Sequence, residues 1–82
     1  MGGAINDSNV SSAESRVKSI ESTIRLLQKN LESYQHQYKY CTDKRSKESY
    51  KSQILKTREN IKNARERLKK AKEDLREAKK RN

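Results

Sequence analysis

Residues 38–50, YKYCTDKRSKESY, interrupt an otherwise regular alternation of apolar residues, which then restarts out of phase. Upstream, Val17, Ile20, Ile24, Leu27, Leu31, Tyr34, Tyr38 and Cys41 follow the three-four spacing that lines up one narrow face of a helix. Carried past Cys41 in the same register, that face would hold Arg45, Glu48, Ser52, Leu55, Glu59, Lys62, Glu66 and Lys69, and would be almost wholly charged. The apolar residues resume instead at Tyr50, Ile54, Thr57, Ile61, Ala64, Leu68, Ala71, Leu75 and Ala78, displaced by two positions. A single coiled-coil helix absorbs insertions of three or four residues, not of two. The expected fold class is therefore all-α, with two long helices joined by a turn into an antiparallel coiled-coil hairpin.

Composition excludes most alternatives. With 82 residues, 29% hydrophobic and 39% charged, no Phe, Trp or Pro and only two Gly, the chain has too little apolar material to enclose a globular core. A lone cysteine precludes an internal disulfide, and no apolar run is long enough for a membrane span or a secretion signal. A cytoplasmic, intracellular location is the resulting expectation. Residues 1–11 show no periodicity and read as a flexible amino-terminal arm, with Ser11 and Glu14 spaced as a capping box at the start of the first helix. The expected boundaries are a helix over 12–41, a turn over 42–46 with Ser46 as the new cap, and a helix over 47–80, all within a hairpin unit of residues 12–82.

If the turn centres on Lys44, antiparallel layers join residues whose numbers add to 88. These include Tyr38 with Tyr50, Tyr34 with Ile54, Leu27 with Ile61, Ile24 with Ala64, Ile20 with Leu68 and Val17 with Ala71. Every layer but the one holding Thr57 is apolar. Flanking residues agree, since Glu14 falls near Lys79, Glu21 near Lys72 and Arg16 near Asp74. Two chains pairing through the same seams, a homo-oligomer, is the alternative arrangement.

Charge is concentrated in the second half. Residues 1–41 hold five Lys or Arg against four acids, and residues 42–82 hold sixteen against seven, within a total net charge of +10. Arg58, Lys62, Arg65, Lys69, Lys72, Arg76 and Lys79 follow a four-three alternation of their own, so they form one stripe beside the seam. At 1.5 Å per residue the stripe runs about 32 Å. Glu59, Glu66 and Glu73 make a parallel acidic row, each three residues before a stripe cation. Two readings stand. The stripe is a solvated helix face stitched by short-range pairs, or it is an anion-binding surface for nucleic acid, an anionic membrane surface or an acidic protein patch.

Tyr34, Tyr38 and Tyr50 are seam residues. Tyr40 lies off the seam and, with Lys44, Arg45 and Lys47, marks the tip as a candidate contact point. His36 is the only histidine, and no acid completes a relay with Cys41. The residue set for acid-base, nucleophilic or metal chemistry is missing, so neither an enzyme nor a cofactor is expected.

The polar turn Thr42-Asp43-Lys44-Arg45-Ser46, followed by apolar residues at Tyr50, Ile54, Ile61, Ala64 and Leu68, resembles the homology-region-one repeat of Rho-family GTPase effectors. That repeat is an antiparallel coiled-coil finger found in protein-kinase-N-like kinases. The resemblance covers roughly residues 16–78. It departs from the pattern at Leu31-Glu32-Ser33-Tyr34, where the family often has Gly-Ala, and in the alanine-rich second seam. It implies a non-catalytic module that binds a GTP-loaded small GTPase in signalling or cytoskeletal regulation. The alternative is a basic hairpin that binds nucleic acid or organises an assembly as a structural coiled coil.

Overall fold

The computed structural model describes the backbone of residues 2–80 and the side chains of residues 9–80. It is a hairpin of two helices, α1 (Gly2–Tyr40) and α2 (Lys44–Lys80), packed against each other in a rod of 64 × 14 × 12 Å. The seams meet as their spacing requires. Val17 and Ala71 are both buried, as are Ile24 and Ala64, and Ala64 is fully enclosed. Small residues at these positions of α2 let the helix axes approach and receive the larger side chains of α1. Most other seam residues, including Ile20, Leu27, Leu31, Tyr34, Tyr38, Ile54 and Leu68, are only half-buried, because two helices cover each other along one line.

The polar layer is resolved locally. Thr57 is 6% exposed, and its hydroxyl donates to the Gln53 carbonyl at 2.7 Å. The buried oxygen is thus satisfied within its own helix, and the methyl group is left to pack in the seam.

Two boundaries differ from expectation. Residues 2–11, expected as an arm, are helical, and α1 runs through the Ser11–Glu14 capping box without starting there. Met1 lies outside the described residues. The physical reason is visible on the seam. Val10 and Ala13 continue the three-four alternation backwards from Val17, and both are half-buried. By the layer rule they fall opposite Ala78 and Leu75, which are half-buried too, so extending α1 covers apolar surface that α2 would otherwise expose. With no proline to stop it, an existing helix gains one backbone hydrogen bond for each residue added.

The turn is also shorter and earlier than 42–46. Only Cys41–Asp43 leave the helical conformation, and α2 begins at Lys44, not Lys47. Asp43, not Ser46, is the cap. Its carboxylate accepts from the Ser46 amide at 3.1 Å and the Ser46 hydroxyl at 2.8 Å, while the Lys47 amide donates to the Asp43 carbonyl at 2.9 Å as the first helical bond. A charged cap is favoured here because Lys44, Arg45 and Lys47 crowd the positive end of the α2 dipole, which has no acid in its first turn. The Cys41 thiol closes the turn, donating to the Asp43 carbonyl at 3.5 Å.

The hydroxyl and amide of Ser46 hold the Asp43 carboxyl below the usual carboxylate range. Its folded-state value therefore lies under the unfolded-state value of about 3.9. The ionised cap stabilises the hairpin fully above that unfolded value, and the contribution disappears as pH falls through the lowered folded-state pKa. Thermal melts between pH 5 and pH 2 should show a steeper loss for the native chain than for Asp43→Asn, which keeps an acceptor but cannot titrate. Parallel losses for both proteins would mean that the cap carries no charge-dependent stability.

Cysteines placed at Ile24 and Ala64 in a Cys41→Ser background should form a disulfide within one chain. Crosslinks found only between chains would replace the hairpin with a dimer of extended helices.

Candidate interaction surface

Helix geometry determines what lies beside the seam. Each stripe cation follows a seam residue by one position: Arg58 after Thr57, Lys62 after Ile61, Arg65 after Ala64, and so on to Lys79 after Ala78. One position is about 100° of rotation, so these side chains leave α2 on a single flank of the helix pair. All seven are exposed.

The structure gathers four of them around an open groove. Its walls and floor come from Gln28 and Leu31 on α1 and from Arg58, Ile61, Lys62, Arg65, Glu66 and Lys69 on α2, enclosing about 590 Å³. Toward the turn it passes at Arg58 into a second hollow of about 290 Å³, lined by Gln35, Tyr38, Lys51, Ile54, Leu55 and Arg58. The two share Arg58 and lie in line on one side of the hairpin, and this channel has an α2 wall that is cationic apart from Glu66 and Leu55, a neutral glutamine wall on α1 and an apolar floor. Lys72, Arg76 and Lys79 extend the stripe beyond it.

The other side of the hairpin is different. Its groove, about 330 Å³, is lined by Arg16, Ser19, Ile20, Arg67, Lys70, Ala71 and Asp74. Arg16 and Asp74 both line it with Arg67 and Lys70, and the difference from the first groove is that α1 contributes a cation where the first has glutamine.

At the tip, the four expected contact residues separate. Lys44 and Lys47 line a cleft of about 170 Å³ with Tyr38, Glu48 and Lys51, and the Lys47 ammonium stands 5.0 Å from the centre of the Tyr38 ring. Tyr40 is not part of that cleft. It is 66% exposed, stacks at a tilt on His36 with ring centres 4.7 Å apart, and has the Lys39 ammonium 5.6 Å from its ring. Arg45 is exposed in the first turn of α2.

Sequence reasoning named the seam residues of the channel floor but missed an apolar member of the α2 wall. Leu55 follows Ile54 by one position, so it occupies a place in the cationic series between Lys51 and Arg58, and it is 58% exposed. Extending the one-after-the-seam rule back from Arg58 identifies it.

What this surface offers is shape and charge. Among the described residues no three His, Cys, Asp or Glu side chains gather where they would hold a metal ion, and no helix is long and apolar enough to cross a membrane. Comparison with protein-family models, with curated proteins and with solved structures finds no match.

Proposed function

We propose that the chain is a non-catalytic protein-interaction module that presents one flank of a helical hairpin to an acidic protein surface inside the cell. The observation that carries this reading is the composition of the channel, where exposed cations alternate in register with apolar side chains. Charge gives such a surface its approach and orientation, and the apolar floor supplies contact area once water is expelled. The resemblance to homology-region-one repeats supports a GTP-loaded small GTPase as the partner and a place in signalling or cytoskeletal regulation.

The test is capture by the immobilised chain. A Rho-family GTPase loaded with a non-hydrolysable GTP analogue should be retained in preference to the GDP form, and capture of protein from lysate should survive nuclease treatment. Retention that ignores the nucleotide state and vanishes with nuclease would sink this reading.

A second reading is nucleic-acid binding through the same stripe. The +10 net charge and the seven exposed stripe cations favour it. Leu55 among the cations speaks against a surface built for phosphates.

A further inference from the structure

We infer that the channel docks an acidic amphipathic helix of a partner protein, which lies along this flank and completes a three-helix bundle. The inference rests on the protein-binding reading and names the element that the partner supplies.

Dimensions come first. From Lys51 to Lys69 the channel runs about 27 Å at 1.5 Å per residue, the length of a five-turn helix. Its floor is the underside of the α1–α2 seam. Leu31, Tyr38 and Ile54 are half-buried there, each with one side covered by the opposite helix and the other facing the channel. A third helix laid in the channel would cover that open side, as helices do in bundles, by placing apolar residues at three-four spacing over the seam.

Charge identifies the kind of helix. Arg58, Lys62, Arg65 and Lys69 line one edge at helical spacing, and Gln28 and Gln35 face them from α1 with neutral amides. An occupant with carboxylates along the flank facing α2 meets Arg58, Lys62, Arg65 and Lys69, four cations against the single acid Glu66 among the residues lining that edge. A second copy of this chain fits poorly. Its own acidic row of Glu59, Glu66 and Glu73 is interleaved with cations on the same helix, and two channel walls brought together oppose like charges.

Leu55 separates a protein helix from nucleic acid. It takes a stripe position in the turn-side hollow, between Lys51 and Arg58, and its side chain is exposed. A phosphate backbone gains nothing from a leucine in that phase. An apolar anchor of a docked helix does, because an apolar contact ringed by charged side chains is shielded from water once the partner is in place.

Fluorescence anisotropy on the full chain at about 0.15 M salt provides the test, with physiological screening in place. One probe is a synthetic peptide of about five helical turns with leucine at heptad core positions and glutamate on the flanks. The others are a peptide of the same composition in scrambled order and a duplex DNA of similar length. The heptad peptide should bind at least tenfold more tightly than the scrambled one and gain helical circular dichroism on binding. Leu55→Ser and Arg58→Glu should each weaken it about tenfold or more, a hot-spot-sized loss, without lowering the melting temperature of the hairpin. Lys70→Glu, in the opposite groove, should leave the affinity unchanged.

Equal binding of the scrambled peptide, equal loss from Lys70→Glu, or displacement of the peptide by a lower concentration of duplex would overturn the inference. So would self-association of the chain that Leu55→Ser dissolves, which would assign the channel to a second copy. If lysate capture survives nuclease but Leu55→Ser leaves it unchanged and the heptad peptide does not bind, the channel is wrong and the module reading stands. Nuclease-sensitive capture removes both.

Discussion

Ile61→Ala is expected to destabilise the hairpin by about 2 to 4 kcal/mol, enough to leave much of the chain unfolded at room temperature. Ile61 is 6% exposed and lies midway along α2, in the same groove as Gln28 and Leu31 of α1, so the deleted carbons leave a gap that two helices cannot close by collapsing around it. Urea titration followed by circular dichroism at 222 nm measures the loss. Leu26→Ala is the internal comparison. Leu26 is as large a side chain but is 60% exposed and off the seam, so its loss should stay within about 0.5 kcal/mol. The contrast matters more than either value. Similar losses at the two positions would mean that the seam has been placed on the wrong face, and the channel beside it would be misplaced as well.

Simultaneous reversal of Lys62, Lys69 and Arg76 to glutamate should abolish binding of an acidic partner, the largest functional effect expected from any surface change. Two of these cations line the groove and the third continues the stripe, so the change turns an attractive edge into a repulsive one. Because all three are exposed, the helical content of the chain should persist. Salt dependence then separates the partner classes. A nucleic acid held through its phosphates loses affinity steeply as salt rises, with a log-log slope of about 0.7 to 0.9 per phosphate neutralised. A helix docked on an apolar floor retains binding at salt concentrations that screen the cations, and that remaining affinity depends on Leu55. Binding that survives the triple reversal would remove the stripe from the function altogether.

The sequence by itself determined that there are two helices, which residues face the seam and which seven cations share a flank. These are local properties. A period of 3.6 residues makes direction around a helix axis a function of position alone, so the two-residue phase break near Cys41 forces a turn, and a four-three series of Lys and Arg forms a stripe whatever the second helix does. Even the extension of α1 toward Gly2 had a signal, in Val10 and Ala13, which continue the seam. That signal was hidden because two apolar residues among polar ones acquire meaning only opposite Leu75 and Ala78.

The tertiary structure alone decided where the helices meet the turn and what the flank is made of. Thr42, Asp43 and Ser46 are all competent caps, and the seam of α2 fixes its rotation but not its first residue. The choice of Asp43 depends on how closely the two helix ends approach once the seams are packed. Likewise, Leu55 beside Arg58 is an unremarkable pair in the sequence. It becomes part of a channel wall only because the packing of α1 against α2 brings Tyr38 and Gln35 into the same hollow. A channel between two helices belongs to neither of them, and its walls are set by the register and rotation of the pair, which no single helix's periodicity contains.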